Sequence, residues 1–145
     1  MRREERGSAL VEFSWLAILL MVPLLYVVLT VFEVQRAAFG VSSAARAAAR
    51  AVTLAPDEAT AQHRASLAAR LALSDQGLSE AHESLALRCA PDPANCLAPG
   101  SSVTATVGYA VPLPLLPPAL GGHRPSVRVE AEHTVPYGTY REDRP

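Results

Sequence analysis

Two cysteines and four histidines are the side chains best suited to covalent or metal chemistry, and their spacing limits what they can do. Cys89 and Cys96 bracket six residues, whereas zinc-binding cysteine pairs usually sit closer together and need a second pair of ligands. The histidines are scattered over four separate segments: His63, His82, His123 and His133. No serine lies in a nucleophile-elbow pattern and no glycine-rich loop follows a strand-like run. We therefore expect no enzymatic activity, no metal, no cofactor and no small-molecule substrate.

Glu12 is the ionisable residue whose surroundings are least usual. Residues 9–32 have the sequence ALVEFSWLAILLMVPLLYVVLTVF, in which Glu12 is the one charge. A carboxylate at the centre of a membrane costs roughly 2.5–3.5 kcal/mol, and less near an end, so it indicates a functional contact by default. A glutamate close enough to the interface to reach water is the alternative explanation.

The apolar stretch around Glu12 is long enough to cross a membrane. A helix over residues 9–32 would be roughly 36 Å long, and a bilayer presents roughly 30 Å of hydrocarbon. Three arginines, Arg2, Arg3 and Arg6, precede it, which favours a cytoplasmic N-terminus and an exported C-terminal part. A cleaved secretory signal has a shorter apolar core; an alanine-rich patch at Ala37, Ala38 and residues 44–49 keeps a signal-peptidase site open as an alternative.

The residues around Glu12 resemble the N-terminus of TadE-like pseudopilins of the tight-adherence (Flp-type) pilus apparatus. The shared pattern is RGSALVEF at residues 6–13, followed by an unbroken apolar helix. In that family a prepilin peptidase removes a short basic leader after a glycine, and a glutamate stands fifth in the mature chain. The resemblance implies cleavage between Gly7 and Ser8, with Glu12 fifth and Phe13 as the aromatic residue that commonly follows it. Its specific part covers roughly the first third of the chain.

The resemblance also implies a function. The chain would be a minor pilin-like subunit of a Flp-type pilus or a related secretion apparatus. It would lie in the inner membrane as a single-pass protein, with its C-terminal domain exported and a filament-associated fraction. Its partners would be the membrane, the prepilin peptidase, other pilin-like subunits and the assembly machinery. The alternative is an unprocessed single-pass protein whose small exported domain binds a ligand or a wall component.

Cleavage after Gly7 would leave a free amine close to a membrane-embedded carboxylate. An amine on one subunit could neutralise Glu12 on its neighbour, which would turn the cost of burying a charge into a preference for one helix register. We therefore assign to Glu12 and Phe13 a role in subunit assembly and in setting the register of neighbouring helices.

An exported position also explains the cysteine pair, because disulfides persist outside the cytoplasm. We expect Cys89 and Cys96 to form an intramolecular disulfide that closes an eight-residue loop and stabilises the domain by about 2.5 kcal/mol on the loop-entropy estimate. A reactive thiol pair is the less favoured alternative, because neither CxxC spacing nor a helix N-terminus is nearby.

The periodicity of the rest of the chain predicts an α+β fold. After the membrane segment, small and apolar residues recur at steps of three and four, which extends the first helix to about residue 54; they are Val34, Ala38, Val41, Ala45, Ala48 and Val52. This stripe would pack either on a neighbouring subunit or on the protein's own sheet. Arg36, Ser43, Arg46 and Arg50 would face solvent.

A second helix and a three-stranded antiparallel sheet complete the predicted pilin-like fold. Pro56 suits the first turn of the second helix and Gly77 its end, and its apolar face would combine Ala61, Ala65, Ala68 and Ala72 with Leu67 and Leu71. Period-two alternation predicts strands over 84–89, 103–111 and 127–133. The predicted boundaries are a basic leader at 1–7, a membrane and amphipathic helix at 8–54, a second helix at 55–77, a β domain with the disulfide loop at 78–136 and a flexible tail at 137–145.

Composition adds two constraints. A formal net charge of −1 argues against a nucleic-acid partner. A membrane helix in a chain of 145 residues leaves enough sequence for one small exported core.

Overall fold

The computed structural model describes residues 8–78, 83–113 and 125–144. Their elements are two helices, α1 (Ser8–Thr53) and α2 (Glu58–Ser74), followed by three strands, β1 (Glu83–Ala90), β2 (Ser102–Pro112) and β3 (Ser126–Pro136). The predicted α+β class and the order of the elements are confirmed. The chain divides into two compact units, and the boundary between them lies between Glu33 and Val34.

The C-terminal unit has its core between a small-residue face of α1 and one face of the sheet. The fully buried residues of α1 are Ala37, Val41, Ala44, Ala45, Ala48, Ala49 and Val52. Since they are buried within one copy of the chain, this face packs on the protein's own domain, which was one of the two alternatives. The predicted solvent face is confirmed, because Arg36, Ser43, Arg46 and Arg50 are all exposed.

Ala38 is a correction to the predicted stripe, because its side chain is exposed. At this end of the packed part of α1, the covered side carries Ala37 and Gly40 instead. A Cβ added at Gly40 would lie 2.6 Å from Leu78 Cδ1, so the turn after α2 closes directly onto the helix there. The periodicity predicted a buried face on α1, and the tertiary packing decided which residues at its edge are buried.

α2 is shorter than predicted and turned differently. Asp57 caps its N-terminus by accepting a hydrogen bond from Thr60 N at 2.8 Å, so Pro56 precedes the helix and does not lie in its first turn. At the other end, Gly77 has φ of +68°. Leu78 N–H donates to Leu73 O and Gly77 N–H to Ser74 O, the two bonds of a Schellman ending.

The apolar face of α2 also differs from the prediction. Its buried residues are Ala61, Ala65, Ala69 and Leu73. Leu67 and Leu71 are 51% and 65% exposed. At 100° per residue, Leu67 lies half a turn around the helix axis from the centre of this buried face, and therefore on the side away from the core.

The sheet is antiparallel in the order β1-β2-β3. Its inner face is most completely covered along β2, whose inner residues are Val103, Ala105, Val107, Tyr109 and Val111, each at most 5% exposed. Cys89 lies opposite Val103, and Val107 lies opposite Ala131, which places the alternating apolar residues of all three strands on one face. Each predicted strand is present and extends one to three residues further at its ends.

The C-terminal tail makes contacts that its lack of periodicity did not predict. Tyr137 is buried, and its backbone N–H donates to Ser101 O at 2.8 Å. Arg141 donates to Thr53 O at 2.8 Å and Arg144 to Ala55 O at 3.1 Å. The residues that follow β3 therefore pack on the C-terminal end of α1.

Candidate membrane-anchoring and processing segment

The N-terminal part of α1 is long and apolar enough to span a membrane, and none of the residues in its most apolar window is buried. Large apolar side chains are exposed on every side of it; Phe13 and Leu19 are both 70% exposed. Apolar surface of this extent requires lipid or protein to cover it. The chain therefore has one candidate single-pass membrane span among its described residues.

Glu12 lies one helical turn after the start of α1 at Ser8, and its side chain is exposed. Residues four apart share a helix face, so the backbone nitrogen of Ser8 and the side chain of Glu12 lie on the same side. Phe13, one residue on, points to a different side. Gly7 and the other leader residues lie outside the described residues, so the predicted cleavage site stays a prediction.

The polar groups of the apolar segment are not spread evenly around the helix. At 100° per residue, Glu12, Tyr26 and Thr30 fall within a sector of roughly 40°. Thr30 Oγ1 donates to Tyr26 O at 2.8 Å, which satisfies the hydroxyl within the helix. We call this sector the polar stripe; apart from Ser14, which lies nearly opposite it, the other side of the segment is apolar.

The cysteines form the predicted disulfide. Cys89, at the end of β1, is bonded to Cys96, with 5.1 Å between their Cα atoms. Cys96 N–H donates to Glu58 Oε2 at 3.2 Å, and Ser101 Oγ donates to Cys96 O at 2.6 Å. The closed loop is thereby held to the start of α2 and to the segment before β2.

The described histidines are not brought together. His63 is exposed on α2 and His133 is half-buried on β3, while His82 and His123 lie outside the described residues. Across residues 8–78, 83–113 and 125–144, no three His, Cys, Asp or Glu residues are grouped so that they could hold a metal ion.

The outer face of the sheet carries a feature that the sequence did not indicate. A half-open depression of about 260 Å³ is lined by Ser84, Leu85, Ala86, Arg88, Thr106, Gly108, Arg128, Glu130 and Glu132. The depression exists in part because Gly108, at its base, has no side chain. A Cβ at this position would lie 2.7 Å from Ser84 Oγ and 3.3 Å from Arg128 Nη2. Alternation places the charged members of this lining, Arg88, Arg128, Glu130 and Glu132, on the outer face, but only the pairing of the strands brings them together.

Comparisons of the chain with protein-family models, with curated proteins and with solved structures find no match. The resemblance of residues 6–13 to TadE-like pseudopilins therefore enters the functional argument as a hypothesis.

Proposed function

We propose that this chain is a minor pilin-like subunit that is inserted in the inner membrane, processed after Gly7 by a prepilin peptidase, and used to build or prime a Flp-type pilus or a related secretion apparatus. Its work is interaction with other subunits and with the assembly machinery, and it has no catalytic role. The observation that carries the proposal is the carboxylate of Glu12, exposed one turn into a long apolar helix and five residues after a glycine.

The helix explains why a second subunit is the natural partner of Glu12. A carboxylate, a tyrosine and a threonine on one side of a membrane helix favour protein over lipid on that side. After cleavage, the new amine at Ser8 would lie one turn from Glu12. Pairing across two subunits would satisfy both charges and fix the axial register of neighbouring helices.

The C-terminal unit suits display outside the cytoplasm. Three strands, one helix and the packed half of α1 enclose a single small core, and the Cys89–Cys96 disulfide closes a loop beside it. A disulfide of this kind is stable in an oxidising compartment. The exported face would then be available to neighbouring subunits or to surfaces outside the cell.

A permanently anchored binding protein is the second candidate, and the charged depression on the outer face of the sheet favours it. In that case the chain would keep its leader, and the exported domain would bind a polar ligand or a wall component while the helix stayed in the membrane.

Measurement of the mature N-terminus by intact mass separates the two candidates. We expect a chain that begins at Ser8 when it is produced in a host with its own prepilin peptidase, and a chain that keeps Gly7 in the same host lacking the peptidase. Gly7→Leu should block processing, because the protease requires an unobstructed backbone at the cut site. A chain that begins at Met1 or Arg2 in both hosts would support the permanent anchor, and one that begins beyond Phe39 would indicate an ordinary signal sequence.

A further inference from the structure

β1 and β3 are the edge strands of the sheet, and within the described part of the chain nothing pairs with their outer sides. Unpaired N–H and C=O groups along an edge are a template for pairing with another chain. Natural sheets usually block such edges, so two open edges on one small sheet indicate an interaction surface.

The inner face of β3 is less covered than that of its neighbour. Val127 is 39% exposed, whereas Val107, on the same face of β2, is 1% exposed. The other inner residues of β3 are all partly exposed: Val129, Ala131, His133 and Val135. α2 packs at the opposite side of the sheet, on β1, where Arg70 Nε donates to Glu83 Oε1 at 2.9 Å. The apolar face of the sheet therefore extends along β3 beyond the part that other described residues cover.

The outer faces of the two edge strands carry opposite charges, and no described residue pairs with Arg88 or Glu132. Arg88 on β1 and Glu132 on β3 are both exposed, and neither makes an ion pair or a side-chain hydrogen bond with the described residues. Glu130, the neighbouring acid on β3, contacts Arg128 at 3.7 Å. One edge thus offers a free cation and the other a free anion.

We propose that copies of this chain associate edge to edge, with β3 of one copy beside β1 of the next and Glu132 paired with Arg88. Both edges run antiparallel to β2, so they are parallel to each other. A head-to-tail pairing therefore keeps every copy pointing in the same direction. The incoming copy also brings its own α2, which packs on β1, to the side where the inner face of β3 is half-exposed.

The register follows from the charge pair. If Arg88 lies beside Glu132 of the next copy, Ala86 lies beside Glu130, since side chains two residues apart share a face of a strand. Within one chain, Ala86 shares a row with Thr106 and Glu132. The contact between copies is therefore shifted by two residues from the row within each sheet, which moves each copy by about 7 Å along the strand direction.

This pairing deepens the proposed function by naming a second copy as the partner, and it rests on that function only for the shared direction of copies anchored in one membrane. The test uses two full-length chains with different tags, produced together in the native membrane. One carries Ala86→Cys and the other Glu130→Cys. Disulfide formation needs Cα atoms within roughly 7 Å, so mild oxidation should link the two tags only if these strands are neighbours.

The matched control replaces Ala86→Cys by Thr106→Cys on the central strand β2, one strand further away. We expect a mixed-tag dimer from Ala86→Cys with Glu130→Cys and little or none from the control pair. Equal yields from the two pairs would overturn the proposal. So would a stronger dimer from Glu130→Cys alone, because that product requires β3 to pair with β3.

Charge exchange tests the contact itself. Introduced into both cross-linking chains, Arg88→Glu or Glu132→Arg should each lower the mixed dimer roughly two- to fivefold, the size expected for an exposed cross-strand charge pair. The double variant should recover the yield, and Arg50→Glu, the same charge change on the solvent face of α1, should leave it unchanged. Failure of the double variant to recover any yield would count against the pairing of Arg88 with Glu132.

The same material separates this proposal from the proposed function. A chain that begins at Ser8 and enters a sheared filament fraction, yet gives no mixed dimer, would remove the edge pairing and leave the pilin function. A mixed dimer formed by chains that still begin at Met1 would support the edge pairing and remove the pilin function.

Discussion

Glu12 is the residue whose chemistry fits its surroundings least well. It is the one charged side chain in residues 9–32, and Phe13, Trp15 and Leu16 beside it are large, exposed apolar side chains. A lone carboxylate in lipid is costly unless it lies near the interface or has a partner. A positively charged partner on another subunit would remove that conflict and also explain why the polar stripe lies on one side of the helix.

Replacement of Glu12 by glutamine therefore tests assembly apart from processing. Glu12→Gln keeps the shape of the side chain and removes its charge. We expect normal cleavage by intact mass and a severe loss of the filament fraction released by shear, because the subunit would insert without a register-setting pair.

Glu33→Gln is the matched control, since Glu33 is the next acid of α1 and lies just beyond the apolar segment. It should leave both readouts near their wild-type values. Unchanged piliation in Glu12→Gln would contradict the proposed pairing with the amine.

At the scale of the elements, α1 serves two environments with two compositions. Its first part is apolar on nearly all sides, as a membrane helix is, whereas its second part buries alanines on one face and exposes arginines on the other. Alanine allows close approach between the helix and the rest of the domain. At Ala44, Ala45 and Ala48 a larger side chain would have no free space, because these alanines are completely buried.

Ala48 and Ala38 give a matched pair for testing this packing. Ala48→Leu should lower the free energy of unfolding of the domain by about 1–3 kcal/mol, because the added bulk must displace a packed neighbour. Ala38→Leu introduces the same side chain on the same helix at an exposed position, and should change it by less than about 0.5 kcal/mol.

Hydrogen exchange of the β2 amides in the full chain in detergent measures both effects, since the central strand exchanges only on opening of the domain. Equal destabilisation by the two variants would mean that Ala38 is also buried, as the sequence periodicity predicted and the structure contradicts.

At the scale of the whole molecule, the last residues of the chain are joined to the corner between α1 and α2. Arg141 donates to Thr53 O, and its guanidinium lies 4.7 Å from the centre of the Tyr137 ring. Asn95, inside the disulfide loop, donates to Asp143 at 3.0 Å. Segments far apart in sequence thus satisfy the carbonyl groups that the end of a helix leaves without partners.

Arg141→Ala should therefore destabilise the domain, although the residue lies in a segment without periodicity. We expect a loss of about 1.5–3 kcal/mol in the free energy of opening of β2, the range for hydrogen bonds from charged donors. Arg64→Ala, on the exposed side of α2, is the control and should be nearly neutral. If the two variants behaved alike, the tail would add nothing to stability and the flexible tail predicted from the sequence would be the better description.

The features that the sequence alone determined are those that depend on residues close together in the chain. The apolar helix, the three strands and the disulfide follow from composition, period and cysteine spacing, because each depends on residues within a few positions of one another. The proposed function rests on something different, the resemblance of the RGSALVEF segment to TadE-like pseudopilins, which also lies within eight residues. None of these inferences needed to know which elements meet.

Contacts between distant segments were decided only by the tertiary structure. Leu67 and Leu71 are apolar and yet exposed, because the position of α2 on the sheet selects the alanine side. The tail is aperiodic and yet packed, because its partners are carbonyl groups some 88 residues earlier in the chain. The charged depression and the two open edges exist only once three strands are paired, since no single strand contains them. Periodicity records the environment of one element, whereas these features depend on which element lies beside it.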